Sequence, residues 1–356
     1  MAVCCNDYED VGTAASISSV HPDVIRAHIL TRLDGPTLAT LTCASPEMRA
    51  LSSDDGLWQD ICASTWPSTR DPLARRVIAS FSSGHRSFFS DSYPLLHRWN
   101  PSKQRPRRHN RPSPATELIS AVDIFYKDEV IFSKVHVTET ESGWFRSSPF
   151  RIDMVGQKET VVTSISRNPA EDEDEWMKHL EENMKMSWIV MDAGKKRAVN
   201  LSSRNPVSVL RHWLTGEVLV KYATVVAGEP RRGSAAEVVQ FAATVTFGAG
   251  KSKGSSGGGG GGGGEWEEVT EVNIQVEDME GRILDGRDSL VILTAAMESG
   301  RRMQREATAK EGFEEFEEMK RERKRRQHRA ERALDMACIV AGVTLFVAFW
   351  SFILFR

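Results

Sequence analysis

The chain has 356 residues, of which 27% are charged, with a net charge near −3 and five cysteines. That length allows two small domains plus tails, and the near-balanced charge excludes a general attraction to nucleic acid. Cys4, Cys5, Cys43, Cys62 and Cys338 form no C-x-x-C pair and none lies at zinc spacing from a histidine, so a reducing compartment fits best.

The opening MAVCCNDYEDVG is acidic and has no apolar run of the signal-peptide kind, and residues 1–18 read as a loose tail. From Ser19 to Trp58 the pattern is that of three or four short helices around one apolar cluster. Pro22 suits a first helical turn, and Ile25, Ile29, Leu30 and Leu33 recur at helical spacing, which predicts a shared face. Asp34-Gly35-Pro36 breaks that helix. Leu38, Leu41 and Ala44 give a second short face. Ser45-Pro46-Glu47 is a helix start with a capping hydroxyl, a first-turn proline and an acid at the positive helix end. Met48 and Leu51 give that helix its buried side, and Asp54 or Asp55 caps a last turn carrying Leu57, Trp58 and Ile61.

In this order, His21-Pro22, Ile29-Leu30-Thr31-Arg32-Leu33, Gly35-Pro36, Leu38 and Leu41, Ser45-Pro46-Glu47-Met48-Arg49-Ala50-Leu51 and Leu57-Trp58 resemble the F-box. His21 stands where that family has Leu, and Met48 where it has Trp or Phe. The following Trp66-Pro67-Ser68 and the run from Ser80 to Pro94 resemble plant F-box proteins with a C-terminal membrane segment, among them the cytokinin-induced type. The resemblance implies docking onto a Skp-family adaptor, and through it onto cullin and a RING subunit. Pro22, Ile25, Ile29, Leu30, Leu33, Leu38, Leu41, Leu51, Leu57 and Trp58 would form the adaptor surface and its supporting core. The sequence does not divide those two roles.

Helical character extends to about residue 99, with Leu73, Val77, Ile78 and Phe81 enlarging the bundle. Residues 100–114, NPSKQRPRRHNRPSP, read as a Pro/Arg-rich linker. Residues 115–300 change to a period of two. Strands are expected at Leu118 to Tyr126, Val130 to Val137, Phe150 to Val155, Val161 to Ser166, Ser187 to Met191, Ala198 to Leu201, Glu217 to Val226, Glu237 to Phe247 and Val269 to Glu277. Asp192-Ala193-Gly194-Lys195 has hairpin-turn chemistry, and one helix is expected at Asp174 to Met186. Short strands at hairpin spacing predict a mainly antiparallel sheet or sandwich. Residues 250–264, with an octet of glycines from Gly257, read as a flexible loop. No Lys-Ser/Thr pair or helix start follows, so this is no phosphate loop.

No catalytic constellation emerges: the nine histidines are scattered and none pairs with Cys or Ser in a nucleophilic pattern. The EDEDE run at Glu171 lacks the turn glycine and terminal ligand of a calcium loop. No cofactor or metal is expected. Trp144, Trp188 and Trp213 suit core positions better than a ligand groove.

Glu298 to Met319 reads as a charged helix with a ragged apolar stripe, Met303, Ala307, Phe313 and Phe316, within a stalk over 301–335. Lys320 to Arg332 carries eight basic and two acidic residues, and Met336 to Phe355 is twenty uncharged residues, about 30 Å of helix and so the hydrocarbon thickness of a bilayer. With only Arg356 after it, the span reads as a tail anchor. The basic flank places the bulk in the cytosol and favours the endoplasmic reticulum. The expected architecture is α+β multidomain: a small helical F-box bundle, a mainly antiparallel β domain, then a charged helix running into a transmembrane helix. The expected role is substrate recognition for an SCF-type ubiquitin ligase, with the β domain reading a protein target and no catalysis by this chain. Two rivals are a membrane-tethered ligand-binding or lectin-like module, and a nuclear F-box regulator that uses the basic run for import.

Overall fold

A computed structural model describes residues 20–96, 115–167, 172–228, 238–249, 265–299, 302–303 and 307–355. The expected loose N-terminus, the Pro/Arg-rich linker and the Gly-rich loop lie outside these residues. The described chain runs from helices, through antiparallel sheets, into one long apolar C-terminal helix.

The first segment holds α1 (Pro22–Val24), a wide π-type turn (Ile25–Ile29) and a tight 3-10 turn (Leu30–Arg32). Then follow α2 (Gly35–Leu41), α3 (Pro46–Leu51), α4 (Asp55–Thr65), a 3-10 turn (Pro67–Arg70), α5 (Pro72–Ala79) and α6 (Gly84–Ser92). Side-chain caps start α2 to α5: Asp34 accepts from the Thr37 N–H, Ser45 from Met48, Asp54 from Gly56 and Asp71 from Leu73. Each cap satisfies a backbone donor that the first turn leaves without a partner. The apolar faces close on a cluster that includes Trp58, Trp66, Phe88 and Phe89.

After β1 (Leu95–Leu96) come β2 (Glu117–Tyr126) and β3 (Glu129–Glu139), then α7 (Gly143–Ser147), β4 (Arg151–Asp153), β5 (Val161–Arg167) and α8 (Glu173–Asn183). The chain continues through β6 (Met184–Asp192), β7 (Arg197–Asn200), β8 (Ser208–Arg211), β9 (Val218–Ala227), β10 (Val238–Ala249), β11 (Glu265–Asp278), α9 (Gly286–Ser299), β12 (Arg302–Met303) and α10 (Ala307–Leu354). Two antiparallel sheets face each other. One has the order β3-β2-β6-β7; the other runs β4-β11-β10-β9-β8, with β5 beside β4 on the same edge of β11.

The smaller sheet is covered on both faces. On β2, Ile119 and Ala121 join the helical cluster, whereas Leu118, Val122 and Ile124 join the core between the sheets. On β6, Ile189 and Met191 face the helices, and Met186, Trp188 and Val190 face the second sheet. Strands buried on both faces read as nearly continuous apolar runs, which explains why β2 alternates only partly in the sequence.

Polar contacts lock the helices to this sheet. Asp123 on β2 is fully buried and accepts from the Ser68 N–H at 2.8 Å, the Ser68 hydroxyl at 2.5 Å and the Ser133 hydroxyl at 2.7 Å. Asp91 on α6 accepts from Arg197 at 2.7 Å, Arg302 at 2.9 Å and the Ala198 N–H at 3.2 Å.

Several local expectations change. The helix expected to reach Met186 ends at Asn183, and Met184 already opens β6. In the β6–β7 turn the left-handed residue is Lys196 (φ 55°) rather than Gly194, while Asp192 holds the turn by accepting from the Lys195 N–H. The charged helix expected from Glu298 to Met319 is not continuous. α9 ends at Ser299, and β12 then pairs with β1 before α10 starts at Ala307. The stalk and the apolar segment are one continuous helix of 48 residues. Its N-terminal part does not stand free: Phe316 is fully buried against Val225 and Val238, and Lys320 pairs with Glu277.

Candidate adaptor-binding surface

The π-type turn decides which residues of the first segment face outward. The Leu30 N–H bonds to the Ile25 carbonyl, five residues back, so Ile25 and Leu30 align on one side and both are fully buried. The helical period predicts Ile25 and Ile29 on one face; the wider turn rotates Ile29 outward instead, to 36% exposure. Val24, one residue before the turn, is 46% exposed.

The ten sequence-predicted residues thus divide into two groups. Ile25, Leu30, Leu38, Leu51, Leu57 and Trp58 are buried in the helical cluster. Pro22 and Ile29 are exposed, and Leu33 and Leu41 are half-buried at the edge of the same cluster. Val24 joins the exposed group although the sequence reading passed over it. Its signal was weak, a single apolar residue beside Pro22 and off the expected face.

Local chemistry fixes this surface. The His21 ring nitrogen accepts from the Asp23 N–H, so the residue that departs from the family pattern serves as a cap. Met48, the second departure, is buried and fills the place of an aromatic ring within the cluster. Arg49 donates to the Thr42 carbonyl at 3.2 Å and ties the end of α2 to α3. The Trp58 indole N–H donates to the Ser52 carbonyl at 2.7 Å, and its ring packs on Phe89 at 5.3 Å. Gly35 is required by closeness, because an added Cβ would collide with the Phe89 ring.

The titratable groups of this segment take structural places. A side-chain hydrogen bond with Thr37 holds the Asp34 carboxyl below the usual carboxylate range, as expected of a cap. Burial, and then the nearby Asp55 carboxylate, push the Cys62 thiol far up, so it behaves as a small core residue. His85 is buried and meets Asp55 at 3.0 Å. Among the described residues, no group of three or more His, Cys, Asp and Glu side chains has the arrangement of a metal site.

Of the three tryptophans expected in core positions, only Trp188 is buried, with its N–H directed to Ser120. Trp144 and Trp213 are 80% and 88% exposed. Both sit on short connecting elements that the period-of-two pattern did not resolve, α7 and the β8–β9 tip. The C-terminal helix is long and apolar enough to cross a membrane, and the described residues bury none of its apolar window.

Comparison with known proteins bears on this arrangement. F-box protein At2g27310 of Arabidopsis thaliana is 45% identical over 363 aligned positions, covering 98% of this chain and 99% of that protein. F-box protein At3g44326 of the same plant is 44% identical, with 85% of this chain and 79% of that protein covered. The probable F-box protein At2g36090, also from Arabidopsis thaliana, is 42% identical over 96% of this chain and 94% of its own length. No protein-family model matches the chain, and no solved structure matches it. Identity at this level, sustained across nearly the whole length, carries the helical N-terminus, both sheets and the long C-terminal helix together, and the chain belongs to the family of these plant F-box proteins.

Proposed function

We propose that the protein is the substrate-recognition subunit of an SCF-type cullin–RING ubiquitin ligase, non-catalytic itself and tethered to a membrane by its C-terminal helix. The observation that carries this reading is the exposure of the apolar residues Pro22, Val24 and Ile29, with Leu33 and Leu41 half-buried on the same helical segment, in a chain of this family. A Skp-family adaptor covers these residues and connects them to cullin and the RING subunit. The remaining work is effective concentration: a bound target is held beside the ubiquitin-charged enzyme.

The division of labour follows the chain. Residues 19–99 hold the F-box and its helical extension. Residues 115–300 read the protein substrate, residues 301–335 form the stalk and residues 336–355 cross the bilayer. The basic run from Lys320 to Arg332 keeps the bulk of the protein in the cytosol and favours the endoplasmic reticulum. We also place the protein with the anchored, cytokinin-induced type, for which its abundance after cytokinin treatment is the check.

The test is capture of a purified Skp-type adaptor by the full chain in mild detergent. Val24→Asp/Ile29→Asp should abolish capture while leaving thermal stability within a few degrees, because both side chains are exposed. Capture equal to wild type would remove the ligase reading and leave a tethered binding module. Extraction of membranes at alkaline pH is the second arm, and release of the protein into the supernatant would remove the anchor.

A further inference from the structure

The β8–β9 connection carries exposed apolar residues for which the fold has no use. Trp213 is 88% exposed, Leu214 71%, and Leu210, at the end of β8, 62%. Single exposed apolar residues are ordinary, but a Trp-Leu pair on a hairpin tip concentrates the side-chain types that dominate binding energy.

The tip is also held rigid. The His212 N–H bonds to the Glu217 carbonyl at 2.7 Å, and the Gly216 N–H bonds back to the His212 carbonyl at 2.8 Å. The His212 ring nitrogen lies 3.2 Å from the Thr215 N–H and 3.0 Å from its hydroxyl, which also donates to Glu217. Arg211 donates to the Gly216 carbonyl, and Gly216 takes a φ of 75° that favours glycine. A preformed tip binds without the entropy cost of ordering a loop.

Its place in the fold argues for a protein partner. α10 runs along β9 in the strand direction: Phe313 lies under Lys221, Phe316 against Val225, and Arg323 reaches Glu280. The apolar stretch that starts at Met336 lies farther on, and the tip lies before Val218 at the opposite end. At 1.5 Å per helical residue and about 3.3 Å per strand residue, the tip stands on the order of 50 Å from the first apolar residue of the span.

The charge beside it narrows the partner's chemistry. Arg211 at the base of the tip pairs with Glu173 at 2.7 Å, which brings the first turn of α8, with Glu173, Asp174 and Glu175, alongside. Glu217 flanks the other side. Carboxylates of α8 and Glu217 thus lie beside the base of an apolar tip whose one arginine is already paired. We propose that this tip is a docking point for protein segments in which an apolar side chain is flanked by arginine or lysine. The inference deepens the substrate-recognition reading and rests on it for its biological role.

The test uses the full chain in detergent against an array of synthetic peptides, in which a central Leu or Phe is flanked by Arg, by Ser or by Asp. Arg-flanked peptides should bind best, and Trp213→Ser/Leu214→Ser should weaken them about thirty-fold, the loss of one hot spot. Asp174→Lys/Glu175→Lys should remove the preference for arginine while the fold is retained. Unchanged binding in the Trp213→Ser/Leu214→Ser variant, or a preference for Asp-flanked peptides, overturns the proposal. So does contact with lipid, read in proteoliposomes as quenching of a dye on Leu214→Cys by spin-labelled acyl chains. Adaptor capture by the same preparations keeps the two readings apart. Peptide binding without capture upholds the tip and removes the ligase; capture with tip-independent peptide binding does the reverse.

Discussion

Asp123 holds the helical layer to the smaller sheet, and its substitution tests how. Three donors converge on one fully buried carboxylate: the Ser68 N–H, the Ser68 hydroxyl and the Ser133 hydroxyl. Asp123→Ala leaves the backbone donor without a partner inside the interface and strips both hydroxyls, which costs about 3 kcal/mol or more. Asp123→Asn keeps an acceptor for the N–H and offers an amide donor to a hydroxyl that rotates to receive it, so it costs about 1 kcal/mol or less. Burial raises the Asp123 carboxyl above its ordinary value, against the opposing pull of the serine hydrogen bonds. The folded protein therefore holds this proton more tightly than the unfolded chain does. That contribution is fully present below the unfolded carboxyl's titration and is lost as pH rises through the raised folded value. Urea unfolding of the wild type and of Asp123→Asn across that window isolates the group, since all other titrations cancel. The stability of the wild type relative to Asp123→Asn should fall as pH rises. A flat or rising difference would refute burial as the dominant influence on this carboxyl.

Two further expectations concern packing. Gly35→Ala drives a Cβ into the Phe89 ring, which is hemmed in by Trp58, Trp66 and Tyr93 with ring centroids at 5.3, 5.4 and 4.9 Å. The overpacking should cost about 1–3 kcal/mol, against at most about 1 kcal/mol gained in helix propensity, and thermal unfolding should register the loss. Phe316→Asp should undock the start of α10. Burying the ring supplies about 2–3 kcal/mol. Without it, proteolysis should newly cut near residues 310–325 while the sheets stay folded. A cleavage pattern like the wild type's would show that the Lys320–Glu277 and Arg323–Glu280 pairs suffice.

Much of this protein is written in its sequence. The capped starts at Ser45 and Asp54 and the period of two through β3, β9 and β10 are local signals, set by neighbours along the chain. The same holds for the charge-free run from Met336 to Phe355. Most of the apolar residues named from the sequence lie in the helical cluster, but Ile29 does not. Helical periodicity assumes 3.6 residues per turn, and the wider turn at Ile25–Ile29 breaks that assumption, which moves Ile29 to the surface and leaves Ile25 and Leu30 inside. Short elements with no period of their own were illegible: α7, β8 and the β1–β12 pair. β1 and β12 are two residues each and exist only because chain segments some two hundred residues apart meet. Phe313 and Phe316 look like a ragged stripe on a solvated stalk because nothing near them in sequence shows that β9 and β10 present a matching face. Composition and spacing along the chain determined which elements form. Which face each one buries, and against what, was decided by contacts distant in sequence, because burial is settled only when a surface meets its partner.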